Sequence, residues 1–128
     1  MEYYFSKKVR FDYKEAIERV TEELKKEGFG VITSINMKET LKKKLAIDFR
    51  NYMILGACNP HFAYEALEED DKVGIFLPCN VIVQEHDDGD VEVLIANPEE
   101  MVRSIDNLEL KTFATKVKES LLQVLNGV

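Results

Sequence analysis

At 128 residues, with a formal net charge of −7, 45% hydrophobic and 32% charged side chains, the chain has the make-up of one folded domain over 1–128. A chain of that length buries a core without disulfide or metal staples. Its longest apolar runs, Met53 to Cys58 and Val81 to Val83, fall far short of the ~20 residues a bilayer-crossing helix needs. The amino terminus lacks the basic-then-apolar pattern of a secretory leader, so a soluble, cytoplasmic protein with no membrane partner is expected. The acidic balance argues against nucleic acid as a partner. The one basic cluster, Lys38, Lys42, Lys43 and Lys44, spreads around a short helix as a solvated face.

Tyr3, Phe5 and Val9 alternate with polar residues, which predicts a first strand ending near Phe11. Asp12, with Glu15 three residues on, is a capping signal, and Tyr13, Ala16, Ile17, Val20 and Leu24 recur on one helical face behind it. Gly28 closes that helix, after which Phe29, Val31, Thr33, Ile35 and Met37 alternate as a second strand. Asn36 and Glu39 repeat the capping signal for a short peripheral helix over Lys38 to Leu45. Tyr52 to Cys58 is apolar at every position, as in a central strand covered on both faces.

Asn59-Pro60 starts a short helix over His61 to Glu69, because Asn caps and proline lacks only an amide that would have no partner in the first turn. Val73 to Gln84 predicts the next strand, Asp87-Asp88-Gly89-Asp90 a turn, and Val91, Val93 and Ile95 its hairpin partner. Pro98 opens a brief turn or helix around Glu99 to Arg103. Leu110, Phe113, Ala114, Val117, Leu121 and Val124 then define a closing amphipathic helix that ends at Asn126-Gly127. The order β-α-β-β-β-β-α, with short helices interspersed, predicts a two-layer α+β fold: an antiparallel sheet of about five strands with two main helices on one face. The middle strands look apolar on the second face too, which predicts a homodimer joined through sheet faces or edges.

Gly-rich phosphate loops, paired-cysteine zinc motifs and a nucleophile-elbow serine are all missing, so no catalytic residue is assigned and the cofactor stays unknown. Cys58 and Cys79 stand 21 positions apart in apolar contexts, where reduced core thiols are the favoured reading. Cys58 and His61, joined by Cys79 or His86, form a sparse metal candidate without a fourth ligand. Pro78-Cys79-Asn80 interrupts an apolar segment with a residue lacking a ladder donor and one disfavoured in strands. A β-bulge or an edge position explains Pro78 structurally, and a small-ligand or partner site is the functional explanation, which also accounts for Asn80. Asn59 reads first as a cap, although the amides it faces are also a place for a small anion. The acidic run Glu68-Glu69-Asp70-Asp71 lacks the spacing of a calcium loop and reads as a solvated helix end.

Gly56-Ala57-Cys58-Asn59-Pro60 and Leu77-Pro78-Cys79-Asn80-Val81, with a short Ala- and Leu-containing helix between them, resemble domain-of-unknown-function family 302. The turn at Asp88-Gly89 and the Ala96-Asn97-Pro98 stretch resemble it too, and the element order extends the resemblance over nearly the whole chain. The resemblance implies a TATA-binding-protein-like arrangement, one antiparallel sheet carrying two principal helices, in a dimer, and it implies no established reaction. Two functional readings follow. The favoured one is a non-catalytic module that binds a small molecule or anion, with Cys58, Asn59, Cys79 and Asn80 as candidate ligand-binding residues, or that assembles as a homodimer. The alternative is a thiol- or metal-dependent redox or accessory enzyme that uses Cys58 and Cys79.

Overall fold

Asp12 begins the first helix: its Oδ1 accepts the amide of Glu15 at 2.8 Å, satisfying one of the donors a helix start leaves unpaired. In the computed structural model, which describes residues 2–128, β1 covers Tyr4–Val9 and α1 covers Tyr13–Lys26. Gly28, at φ 83°, then turns the chain, with Phe29 N–H bonded back to Leu24 O at 2.9 Å. There follow β2 (Gly30–Asn36), α2 (Met37–Leu45), β3 (Tyr52–Cys58), α3 (Pro60–Glu69), β4 (Cys79–Glu85), β5 (Val91–Ala96), α4 (Pro98–Met101) and α5 (Leu108–Gly127).

The strands form one antiparallel sheet in the order β1-β5-β4-β3-β2. Helices α1 and α5 cover one face. Ala16, Val20 and Leu24 of α1 and Leu121, Val124 and Leu125 of α5 close over Leu55, Ala57, Val81, Val83, Val93 and Ile95. Lys7, on the same side of β1, sends its ammonium to the carbonyls of Leu125 and Asn126 at 3.4 Å and to Val128 O at 2.6 Å. A cation there complements the negative end of the α5 dipole and ties the edge strand to the last helix. The fold is therefore the two-layer α+β arrangement expected, with two main helices on one side.

Three expectations are corrected. The strand expected over Val73 to Gln84 starts only at Cys79. Val73–Phe76 is a 3-10 turn closed by Leu77 N–H to Gly74 O at 3.1 Å, because Gly74 and Pro78 supply turn chemistry within the apolar run. Pro78 sits just ahead of the ladder and not in a bulge: β3 and β4 pair in unbroken register from Ala57↔Cys79 to Tyr52↔Gln84. The register shift lies in β2, between Val31 and Thr33, on an edge strand where bulges discourage further pairing. Finally, the uncovered face is mixed and not apolar. Ile54, Ile82 and Leu94 stand there half-buried, with Asn80, Gln84 and Glu92 between them.

Gly56 marks the tightest approach on this open face. A Cβ at that position would collide with the Thr33 hydroxyl and the Pro78 ring. Alanine in place of a strand glycine usually stabilises through the unfolded chain. Here Gly56→Ala is expected instead to destabilise by about 1–3 kcal/mol in a urea titration. Adding Thr33→Ala should recover part of that loss.

Candidate functional site

Strands β3 and β5 run the same way, and each leaves the sheet through the same device. At the end of β3, Asn59 caps α3 by accepting the amides of His61 at 3.1 Å and Phe62 at 3.3 Å, with Pro60 as the first helical residue. At the end of β5, Asn97 caps α4 by accepting the amide of Glu99 at 3.1 Å, with Pro98 in the same position. Asn97 is 1% exposed, and its amide also donates to Glu2 O at 3.1 Å. Helix α5 passes alongside both short helices. A cleft is left between them.

This cleft is lined by Phe29, Phe62, Phe76 and Phe113, with Ala57 and Cys79 from the sheet and Met101 from α4. Its water-accessible volume is about 80 Å³, several times the ~10–15 Å³ that one water molecule requires. No side chain of α3 is fully buried, so that wall is held by its N-cap and by the half-buried Phe62 packing on Phe29 and the core. The α4 wall is clamped to α5, where Glu99 accepts from Lys118 Nζ and Thr115 Oγ1, each at 2.8 Å. The hydrogen bonds from Lys118 and Thr115 hold the Glu99 carboxyl below its ordinary range.

The four candidate ligand-binding residues divide between the two faces of the sheet. Cys58, Asn59 and Cys79 line the cleft, whereas Asn80 is exposed on the open face. Asn59 is spent on its cap and on a 3.4 Å bond from Nδ2 to Glu27 O, which fastens the start of α3 to the end of α1. Both cysteines are free. Burial, reinforced by the neighbouring Cys58, pushes the Cys79 thiol up to about 11, so at neutral pH it is a protonated, weakly nucleophilic group.

The metal candidate of Cys58, Cys79 and His61 does not assemble. His61 is exposed on the first turn of α3 and is not part of the cleft lining. Among the described residues no three His, Cys, Asp or Glu side chains group as a metal site. His86, the other imidazole considered, lies on the open face with Nε2 2.9 Å from Glu92 Oε1. The acidic run disperses as well: Asp70 accepts the amide of Lys72 and Asp71 pairs with its ammonium. Helix α2 carries its lysines outward, with Lys42 paired to Asp48 at 2.9 Å.

Residue reasoning missed that the cleft is built by the two Asn-Pro exits acting together. The repeated strand-Asn-Pro pattern, at Cys58-Asn59-Pro60 and Ala96-Asn97-Pro98, was the signal available. It also missed Arg50, in the irregular stretch before β3, and Gln84, which ends the predicted strand but gives no sign there that it would face Arg50.

The architecture is that of a small two-layer α+β module with a five-stranded antiparallel sheet and an apolar cleft at one end. The family model described as domain of unknown function DUF302 matches residues 5–128, and the chain belongs to that family. The crystal structure of an uncharacterized conserved DUF302 protein from Bacillus stearothermophilus is similar over 98% of each chain, with 32% sequence identity and a TM-score of 0.92. No curated protein matches the sequence. Among the described residues no helix is long and apolar enough to cross a membrane.

The raised thiol pKa of Cys79 has a defined consequence for stability. Between the ordinary thiol value near 9.0 and about 11 the unfolded chain loses the proton while the folded chain keeps it. The folded state then binds more protons, so its stability is full below pH 9 and falls as pH rises towards 11, by up to about 2–3 kcal/mol. Denaturation of the native protein across this window should show that fall, and Cys79→Ala should show a clearly shallower one, the Tyr13 phenol, also raised by burial, contributing the same sign of change. In the folded state at neutral pH, a thiol reagent should modify the half-buried Cys58 well before Cys79.

Proposed function

We propose that this protein is a non-catalytic module that holds a small apolar molecule, one aromatic ring or a short acyl chain, in the cleft between β3, β4, α3, α4 and α5. The observation that carries this reading is the lining: four phenylalanines, a methionine and a neutral thiol around an unfilled space. Native cores pack to crystal-like density, so an unfilled apolar space forgoes dispersion contacts that a ligand of the right shape supplies. Such cavities stay dry and accept apolar guests. The only side chains in the lining with hydrogen-bonding groups are the two thiols and Asn59, and the amide of Asn59 is already engaged. The site is therefore suited to selection by shape and not to proton transfer or nucleophilic attack. Reduced thiols suit a reducing compartment such as the cytoplasm.

Toluene and 1-octanol are suitable probes. At near-saturating concentration each should raise the melting temperature and shift the amide resonances of Cys79, Phe113 and Ala114 in a heteronuclear correlation spectrum. Ala66→Leu, which fills the cleft from the α3 side, should fold and abolish both effects. Unshifted lining amides, or equal binding by the filled variant, would remove the basis for this reading.

Homodimeric assembly is a second reading, favoured by one observation. Edge strand β2 leaves Ile32 62% and Ile35 46% exposed, beside a row of unpaired backbone groups, and Leu45 and Ile47 are exposed just after it. Aliphatic side chains on an open sheet edge are a template for pairing with another copy. Sedimentation at micromolar concentration should give twice the chain mass for the native protein and a single chain mass for Ile32→Glu/Ile35→Glu. A native protein that sediments as a monomer would end this reading.

A further inference from the structure

On the face of the sheet that no helix covers, a row of polar side chains runs from the segment just before β3 across β4 to β5. Arg50 donates from Nε to Gln84 Oε1 at 3.0 Å. Gln84 donates from Nε2 to Glu92 Oε1 at 3.1 Å, and His86 Nε2 lies 2.9 Å from that same oxygen. Gln84 is only 8% exposed although it stands on the uncovered side, because Arg50 and its neighbours close over it. Buried amides are costly unless bonded, and here both ends of the Gln84 amide are bonded. The amide thereby fixes the guanidinium by its inner nitrogen.

The guanidinium is also held from the side. Its central carbon is 4.5 Å from the Phe49 ring centroid and 5.7 Å from that of Tyr52. Among the described residues its two terminal nitrogens have neither a hydrogen-bond partner nor a carboxylate. An arginine that is half-buried, stacked and anchored through Nε, with its outer fork unpaired, is set up to receive a planar oxyanion in two parallel bonds. Cations beside carboxylates in this acidic chain are paired with them, as Lys8 is with Asp90 and Lys118 with Glu99, whereas the outer fork of Arg50 faces no carboxylate among the described residues.

The hollow around this fork has a water-accessible volume of about 500 Å³ and is flanked by Tyr4, Tyr52, Ile82 and Leu94, with Asn80 exposed at its rim. Tyrosine rings and aliphatic side chains on a flat sheet offer a bed for a planar apolar body, and the Asn80 amide offers one further hydrogen bond. The charge balance narrows the ligand. The hollow offers one guanidinium, the Glu92 carboxylate lines it as well but is engaged by Gln84 and His86, and the chain as a whole carries −7. A single negative charge is matched by that arrangement, whereas a dianion meets repulsion from Glu92 and from the overall field.

We propose that this open face is a second binding site, independent of the apolar cleft, for a small aromatic monocarboxylate. Its carboxylate pairs with the outer fork of Arg50 and its ring lies over Tyr52 and Ile82. Here the Asn80 that sequence reasoning singled out takes part in recognition, on the opposite side of β4 from Cys79.

The test is a titration of the native protein with 2-naphthoate, followed by backbone amide resonances, alongside 2-naphthamide and 2-naphthyl phosphate. The expected result is saturable shifts confined to residues 80–84 and 92–96, with 2-naphthoate binding at least tenfold more tightly than either companion. Arg50→Gln should reduce its affinity at least tenfold. Arg50→Lys, which keeps the charge but loses the fork, should also weaken it, and Ala66→Leu in the cleft should leave it unchanged. The proposal is overturned by any of four results: equal affinity for the amide, tighter binding of the phosphate, shifts that map to the Phe113 cleft, or no saturation by the carboxylate. Arg50 variants with native spectra and native affinity would overturn it as well.

Discussion

The antiparallel register between β3 and β4 decides what each surface of this protein can do. With Ala57 opposite Cys79 and Gly56 opposite Asn80, the residues Leu55, Ala57, Cys79, Val81 and Val83 fall on the helix side, and Gly56, Asn80, Ile82 and Gln84 on the other. A slip of one residue would exchange these sets, placing Gln84 and Asn80 under α1 and α5 and leaving valines in water. Such a slip is opposed by both layers at once. The helix side needs apolar groups against Val20, Leu24 and Leu121, and the open side needs a residue without a side chain beneath Thr33 and Pro78. Gly56 is therefore as much a register device as the valines are.

From that register the two candidate sites follow on opposite faces of one strand. Cys79 points into a cleft with no charged group in its lining, and burial there keeps its thiol protonated. Asn80, the next residue, joins a face where an arginine, a glutamine, a glutamate and a histidine are linked side chain to side chain. Two sites of such different dielectric character, separated by the thickness of a sheet, have little means of sharing a reacting group. The pairing of cysteine with asparagine in the Cys-Asn motif is one of sequence, and the geometry takes it apart.

Much of this architecture is legible in the sequence, and what is not has identifiable reasons. The helical period of Ala16, Val20 and Leu24, the capping residues Asp12, Asn36 and Asn59, and the Asp-Gly turn of the hairpin are local signals that local structure obeys. The start of β4 was not legible, because Val73-Gly74-Ile75-Phe76 is as apolar as a strand. Only Gly74 and Pro78, weighed against hydrophobicity, mark the segment as a turn, in which Ile75 is left 83% exposed. The cleft was half visible: its cysteines stood out, whereas its phenylalanines come from four separate segments that converge only in three dimensions. Arg50 was invisible for a related reason. It belongs to the irregular stretch between α2 and β3, and its partner Gln84 lies 34 positions away in sequence, with Glu92 reached only through that amide.

The two Asn-Pro exits suggest why the cleft stays open in a fold that otherwise packs closely. An asparagine cap followed by proline fixes the direction in which a helix leaves a strand, since the cap sets the first turn and proline fixes its own φ. Asn59 and Asn97 thus determine the paths of α3 and α4 before any side chain of those helices has packed, and Asn97 is buried and bonded at both ends of its amide. Once both directions are set, the gap between them depends on the side chains that reach into it, and α3 contributes none that is fully buried. Helix α4 cannot swing inward to close it, because Glu99 holds α4 against Lys118 and Thr115 of α5. The wall left with most freedom to adjust is α3, which has no fully buried side chain and is held at its start by the Asn59 cap and Phe62 and at its end by the Asn107–Glu69 hydrogen bond. Segments with few buried contacts open at the lowest free-energy cost. On the proposed binding function α3 is accordingly the wall that adjusts to a guest, and Asn59 and His61 at its start serve the scaffold and not the chemistry.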